Sequence, residues 1–157
     1  MATSNGSAST AKRSRDASDL IELSGQLRRS VRRLVRRHWP HEPLTPSAVE
    51  LVRLLDSNPG LRVREAATAL GLVPNTVSTL VGVLSARGLI ARRSDERDAR
   101  AARLFLTPTA KGRVADWRDR RTQIVEDAFA RLDPEQRRAI HAALPALRRL
   151  LNEVEGA

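Results

Sequence analysis

The sequence VREAATALGLVPNTVSTLVGVLSARGLI, residues 63–90, decides the fold of this chain. Its apolar spacing predicts a short helix over Val63–Leu70, after which Gly71 supplies a turn. A second helix is predicted over Pro74–Arg87, because proline favours the first helical position and apolar residues recur at i, i+3, i+4 and i+7. Gly88 ends it. A short helix, a glycine turn and a longer helix with one apolar face have the proportions of a helix-turn-helix.

The outer face of the second helix is small and polar. In a helix-turn-helix, the first turns of this helix meet base edges in the major groove of DNA. The amide of Asn75 can pair with adenine there, and the methyl group of Thr76 or Thr79 can contact a thymine methyl. The same residues would also serve ordinary capping and solvation, and no positive charge precedes Arg87 on this helix. The candidate recognition residues are Pro74, Asn75, Thr76, Ser78 and Thr79.

The segment after the helix-turn-helix predicts a β-hairpin. A short apolar pair, Leu89–Ile90, precedes a charged stretch from Arg92 to Arg100, and Ala102–Thr107 has the pattern of a strand. A tip that carries arginines beside acids suits a wing laid on DNA, with one arginine inserted into the minor groove. We expect affinity to come from this wing and from contacts to phosphates. The candidate phosphate contacts are Arg62, Arg64, Arg92, Arg93 and Arg97.

Helical patterns continue on both sides of this winged segment. Thr45 and Asp133 are placed to be N-caps, because each precedes a proline and a run of apolar residues at helical spacing. Residues 1–18 have nothing to bury and are expected to be disordered. The predicted fold is mainly α with a small β-hairpin, in the order four helices, hairpin, two helices. The helices predicted outside the helix-turn-helix cover residues 19–38, 46–57, 109–131 and 134–154.

Short sequences along the central block match, in order and spacing, those of one protein family. They are Leu44-Thr45-Pro46, Ala66-Ala67-Thr68-Ala69-Leu70-Gly71, Arg87-Gly88-Leu89-Ile90, Asp98-Ala99-Arg100, Leu104-Phe105-Leu106-Thr107 and Lys111-Gly112. Through them the chain, from about Leu20 to Val154, resembles the multiple-antibiotic-resistance regulator (MarR) family. The resemblance implies a winged helix-turn-helix in which Arg100 enters the minor groove and Asp98 orients its guanidinium. The alternative for these two residues is a solvated surface ion pair.

The resemblance also implies how the chain is organised. It predicts one domain over residues 19–157, in which residues 44–107 form the winged helix-turn-helix. Residues 19–38 and 109–157 would intertwine with a second copy, giving a homodimer that binds a palindromic operator as a repressor. A monomeric bundle with the same apolar residues as its core is the alternative. The leucines placed for the dimer contact are Leu20, Leu23, Leu27, Leu144, Leu147, Leu150 and Leu151.

Regulators of this family commonly release DNA when a small, often anionic aromatic compound binds them. In this sequence the candidate effector residues are Arg37, His38, Trp39, His41 and Arg53. For Trp39 a core or dimer contact is the favoured interpretation. His38, His41 and Glu42 could approach a metal ion, but Pro40 interrupts the helix and the sequence offers no fourth ligand. We therefore expect no metal and no cofactor.

The composition favours a polyanion partner. The chain has 157 residues, a formal net charge of +10 and 28 basic residues, and neutralising phosphates releases the counterions condensed on nucleic acid. No cysteine is present, which excludes disulfides and thiolate metal sites, and the start of the chain has no secretory signal, so a cytoplasmic location is expected. Neither a phosphate-binding glycine loop nor a nucleophile motif indicates an enzyme. Two alternatives to the regulator are a sequence-tolerant architectural DNA-binding protein and a winged-helix module that binds protein.

Overall fold

The computed structural model describes residues 4–95 and 98–156, with side chains at residues 12–94 and 102–156. Within these ranges the chain forms six helices and three strands. Two compact units contain them: Met1–Trp39 with Asp119–Ala157, and Pro40–Arg118. Along the chain, the helices and strands are α1 Ser4–Arg37, α2 Pro46–Ser57, β1 Leu61–Arg62, α3 Val63–Leu70, α4 Pro74–Ala86, β2 Ile90–Asp95, β3 Asp98–Leu106, α5 Pro108–Ala130 and α6 Pro134–Glu155. The mainly α fold with a β-hairpin is confirmed.

The second unit is built around one apolar core. Helices α2, α3 and α4 pack with the sheet, and their shared cluster extends to Ala110 at the start of α5. Each leucine buried here stabilises the fold by about 1.5–3 kcal/mol relative to an exposed one. This core fixes which face of α4 points outward. Its most completely buried side chains include Leu51, Leu55, Val77, Val81, Leu84, Leu89 and Leu104.

Local signals in the sequence set the helix ends. The Ala48 N–H donates to Thr45 Oγ1 at 3.3 Å at the start of α2. At α6 the Gln136 N–H donates to Asp133 Oδ1 at 2.8 Å, and Gln136 Oε1 accepts from the Asp133 N–H at 3.2 Å. Between α3 and α4, Gly71 adopts a φ of 63°, a left-handed conformation that glycine reaches without steric cost. The two helices meet at a bend of 111°, as in a helix-turn-helix.

The sheet has three antiparallel strands in the order β1-β3-β2. β2 and β3 form the predicted hairpin, and both are longer than the predicted strands because pairing extends from Ile90 opposite Leu106 out to Asp95 opposite Asp98. β1 was not predicted. It is only two residues long, Leu61 paired with Leu104 and Arg62 with Arg103, so it has no alternation to detect.

The first unit differs from the prediction at its start. The sequence predicted disorder over residues 1–18, whereas α1 begins at Ser4 and residues 4–18 are helical. This segment has no proline, and adding residues to an existing helix avoids the cost of a new nucleus, so α1 extends through it although serines outnumber alanines. Val31 and Val35 are the buried residues of α1, whereas α6 buries none of its described side chains. No single helix among the described residues is long and apolar enough to cross a membrane.

Candidate nucleic-acid interface

α4 has one buried face and one exposed face. Val77, Val81 and Leu84 are fully buried in the core of the second unit. About 100° per residue places Asn75 and Thr79 opposite the buried stripe, and all five residues predicted to meet bases are exposed. These are Pro74, Asn75, Thr76, Ser78 and Thr79. The exposed face continues with Gly82, Val83 and Ala86, so it is small and uncharged along its whole length.

The hydroxyl group of Thr79 is already engaged within α4. Thr79 Oγ1 donates to the Asn75 carbonyl oxygen, one turn earlier, at 3.0 Å. The hydroxyl hydrogen therefore bonds to the backbone, and the parts of this side chain that stay available to a partner are the methyl group and the oxygen as an acceptor. At Gly82, a Cβ atom built on the backbone would have no heavy atom within 4 Å. The helix backbone itself is thus accessible at this position.

The β2–β3 hairpin carries its arginines on both faces. Arg92 pairs with the buried Leu104, and Arg93 pairs with Arg103, so strand alternation places the two exposed guanidinium groups on opposite sides. Arg93 packs over the Phe105 ring, with its Cζ atom 4.9 Å from the ring centroid. The other predicted DNA-binding residues of the wing lie outside the described side chains. They are Arg97, Asp98 and Arg100.

The other predicted phosphate contacts lie at the start of α3. Arg64 is exposed, whereas Arg62 is half-buried in β1 and its N–H donates to Glu65 Oε2 at 2.6 Å. Behind them, Arg103 Nη1 donates to the Gly60 carbonyl oxygen at 3.1 Å and joins β3 to the turn before β1. Arg64 is therefore available to a partner, whereas Arg103 braces the sheet.

Comparison with known proteins places this geometry in a family. Residues 42–101 match the sequence profile described as MarR family. Residues 42–101 belong to the MarR family. The match spans α2, the helix-turn-helix and most of the hairpin, and it confirms the resemblance predicted from the sequence.

Proteins similar to the whole chain agree with this MarR-family assignment. A Thauera aromatica protein named as a transcriptional regulatory protein for the hcr operon is 27% identical over 132 residues, which are 82% of this chain and 80% of that protein. The transcriptional regulator Tm0710 from Thermotoga maritima has the same fold, with a TM-score of 0.76 and 22% identity over 92% of this chain and 99% of that one. A Staphylococcus aureus MepR mutant bound to an oligodeoxyribonucleotide has a TM-score of 0.66 and 20% identity, covering 86% and 96%.

The leucines predicted for the dimer lie outside the MarR-family match, in the first unit. Leu20 is half-buried, and the other six are exposed in the single chain. Leu23 and Leu27 on α1 are 64% and 60% exposed, and Leu151 on α6 is 55% exposed. In the single chain these side chains are exposed, and a homodimer that covers them stays a prediction. They do not form the core of a monomeric bundle.

The predicted effector residues fall into both units. In the first, Arg120 Nη1 donates to the His38 carbonyl oxygen at 3.4 Å, and its Cζ atom lies 5.9 Å from the Trp39 ring centroid. This contact holds the end of α1. Arg37 and Arg53 are exposed, the latter in the second unit. Trp39 therefore has a structural role within its unit, and an effector role for these residues stays a prediction.

A shallow depression in the second unit includes one predicted residue, His41. Its volume is about 360 Å³, and its walls carry two arginines that the sequence reasoning did not select. Arg87 forms an ion pair with Glu42 at 3.0 Å, and the Nε atom of Arg113 is buried without a hydrogen-bond partner among the described residues. No signal in the sequence could have paired them, because they come from a loop and two separate helices. The lining residues are Pro40, His41, Glu42, Arg87 and Arg113.

Proposed function

We propose that this chain is a transcriptional regulator that binds duplex DNA with α4 in the major groove and the β2–β3 hairpin beside it. One observation carries the proposal: the inner face of α4 is closed by the core, whereas its outer face is exposed, small and uncharged. Such a face can approach base edges without steric or electrostatic conflict. The oligodeoxyribonucleotide bound to the MepR mutant and the name of the Thauera aromatica protein support it. A DNA-binding regulator acts where the chromosome is, which in a bacterium is the cytoplasm.

Base recognition rests on two side chains in this proposal. The Asn75 amide pairs with the N6 and N7 atoms of adenine, and the Thr79 methyl group contacts a thymine methyl. The hydrogen bond from Thr79 Oγ1 to the Asn75 carbonyl oxygen supports the second assignment, because it occupies the hydroxyl hydrogen and leaves the methyl group of this exposed residue available. Neither side chain is charged, so the attraction to DNA has to come from elsewhere in the chain.

The test begins with an operator selected by the protein from randomised duplexes, followed by footprinting. A bounded, palindromic protected region supports the regulator. Diffuse protection would indicate the architectural protein instead, and absence of binding would indicate a module that binds protein. This one experiment therefore distinguishes the regulator from both alternatives. A catalytic role is not favoured by the motifs of the chain.

Single variants then test the assignments on α4. Asn75→Ala should cost about 1–3 kcal/mol at one symmetric base-pair position, whereas Asn152→Ala, exposed on α6, is the matched control and should cost nothing. Thr79→Ser keeps the hydroxyl group and removes only the methyl group. Replacing thymine by uracil in the operator should weaken wild-type binding and leave the Thr79→Ser variant unaffected. A reduction that is equal for both proteins would disprove the methyl contact.

For the wing we propose that Arg100 enters the minor groove and that Asp98 orients it, as the family resemblance implies. An arginine in the minor groove reads groove width, so Arg100→Ala should weaken binding most at operators with narrow, A·T-rich flanks. Asp98→Ala should give a smaller reduction of the same kind, because it releases the arginine without removing it. If Arg100→Ala has the same effect on every flank, the arginine is only a phosphate contact.

We further propose that the active form is a homodimer and that a small anionic effector controls it. The exposed leucines on α1 and α6 support the dimer, since burying each would contribute about 1.5–3 kcal/mol. For the effector, the depression beside His41 is the better-supported location, because Arg113 supplies a positive charge there in addition to the ion pair of Arg87 with Glu42. Aromatic carboxylates should lower operator affinity in the wild type and less so in Arg113→Gln. An unchanged affinity with a broad panel of such compounds would argue for a constitutive repressor.

A further inference from the structure

The surface of α1 has a cluster of arginines that neither the winged unit nor the leucine contact explains. Six exposed arginines occur within ten residues, and we call them the arginine face. With about 100° per residue, all six fall on one half of the helix circumference, and the buried Val31 and Val35 lie on the other half. The arginine face consists of Arg28, Arg29, Arg32, Arg33, Arg36 and Arg37.

Within the described parts of the chain nothing neutralises the arginine face. The sequence contains no acidic residue between Glu22 and Glu42. The ion pairs among the described residues, Arg87 with Glu42 and Arg118 with Asp56, both lie in the other unit. One long hydrogen bond of 3.5 Å, from Arg33 Nη2 to Ser30 Oγ, involves the arginine face. The charge of the arginine face is therefore presented to solvent.

This arrangement costs stability in the free protein. Arginines four apart on a helix repel each other by about 0.2–0.5 kcal/mol per pair, and the arginine face contains two rows of three with this spacing. Interaction with the negative end of the helix dipole explains Arg36 and Arg37 in the last turn, but it decays within one turn and cannot explain the other four. Unfavourable local charge that is retained indicates a partner that neutralises it.

The charge density of the arginine face matches that of a nucleic acid. At 1.5 Å per residue, six charges occupy about 14 Å of helix, or one per about 2.3 Å, and duplex DNA carries one negative charge per about 1.7 Å. Every charge is a guanidinium, which binds phosphate oxygens through two parallel hydrogen bonds. DNA is also the polyanion that the winged unit is proposed to bind, so it would already be held by the same protein molecule. The choice of DNA as the partner of the arginine face therefore rests on the proposed function.

We propose that the arginine face of α1 is a second, sequence-independent contact surface for the phosphate backbone of duplex DNA. It adds affinity and not specificity, because phosphate contacts carry no sequence information. Through it the protein would hold DNA by more than the winged unit alone.

Full-length variants that remove one row at a time test this proposal. The first-row variant carries Arg28→Gln, Arg32→Gln and Arg36→Gln, and glutamine keeps a similar helix propensity. A second-row variant changes the other three arginines in the same way. The control variant carries Arg121→Gln, Arg137→Gln and Arg138→Gln, which are exposed on α5 and α6 and lower the net charge by the same three units. Circular dichroism verifies that all three variants are folded.

The measurement is the affinity for a random-sequence duplex of 40 base pairs across a range of salt concentrations. Each row variant should lower the salt slope by about 0.9 for every phosphate that is no longer neutralised, up to about 3 per protomer, and should weaken binding at 50 mM salt by about tenfold or more. The control variant should leave the slope unchanged. If the row variants and the control weaken binding equally, only net charge matters and the proposal is wrong.

Two further measurements exclude other partners for the arginine face. Vesicles of phosphatidylserine and phosphatidylcholine test a membrane surface, since α1 also carries exposed leucines. Sedimentation tests pairing with acids of a second copy. A row variant with reduced vesicle binding or dimer stability but an unchanged DNA salt slope overturns the proposal. Failure to select any operator, with the row dependence intact, would refute the proposed regulator and leave this inference standing.

Discussion

Gly82 provides a test in which protein stability and DNA binding should change in opposite directions. It lies on the outer face of α4, one turn beyond Thr79, and a glycine inside a helix costs about 0.5–1 kcal/mol relative to alanine. A Cβ atom at this position would contact nothing in the protein. Gly82→Ala should therefore raise the free energy of unfolding by about 0.5–1 kcal/mol and the melting temperature by about 1–4 °C.

The same methyl group should weaken operator binding. If the α4 backbone approaches the bases at Gly82, the added carbon overlaps a packed contact, and overpacking of this kind costs about 1–3 kcal/mol. That corresponds to a decrease of about 5-fold to 150-fold in affinity for each copy of α4. Thermal unfolding at fixed protein concentration gives the first change, and fluorescence anisotropy with a labelled operator at fixed salt gives the second.

Gly112 on α5 is the matched control for this experiment. It is also a helical, exposed glycine whose added Cβ atom would have no heavy atom within 4 Å. Gly112→Ala should raise stability by a similar amount and leave operator affinity unchanged. Should Gly82→Ala bind the operator as tightly as Gly112→Ala does, the backbone of α4 does not approach DNA there and the reasoning fails.

Three other expectations follow from the described contacts. Leu27→Glu places a charge among the exposed leucines, so sedimentation should show monomer, and a stable dimer would contradict the α1 contact. Arg120→Ala removes the hydrogen bond to the His38 carbonyl and the packing over Trp39, and should lower the free energy of unfolding by about 1 kcal/mol. If the neighbouring Arg121→Ala lowers the free energy of unfolding equally, the decrease comes from the lost charge and not from these contacts. Operator affinity should fall by about 10³ to 10⁵ between 50 and 200 mM salt if six to ten phosphates are contacted, and a flat dependence would argue against a backbone-dominated interface.

Much of the second unit could be predicted because its signals are local. Thr45 caps α2 through its own hydroxyl group, and Gly71 turns the chain through its own left-handed backbone. The exposed and buried faces of α4 follow from its helical period alone, which is why the outward position of Asn75 was predictable. Each of these features depends on residues within one turn of one another.

The features that were missed depend on contacts between distant residues or on neighbouring structure. β1 is a strand only because Leu61 pairs with Leu104 across the sheet. The start of α1 at Ser4 depends on the helix that follows it, since the segment alone would be too short and polar to nucleate. Arg87 and Arg113 meet His41 only through the packing of three elements, so the walls of that depression could not be selected from spacing.

The charges of the molecule explain why a neutral recognition helix can belong to a DNA-binding protein. An arginine on the outer face of α4 would attract any phosphate, and it would hold the helix on non-specific DNA as well as on the operator. A face made of Asn75, Thr79 and Gly82 gains little from DNA unless methyl groups and base edges match it. Specificity is the difference between the affinity for the operator and the affinity for other DNA. A recognition helix with little general attraction to DNA, combined with attraction elsewhere in the protein, therefore discriminates better than a strongly charged recognition helix. In the proposed mode of binding, the exposed arginines of the hairpin, of α3 and of the arginine face would supply the attraction, and α4 would determine the sequence.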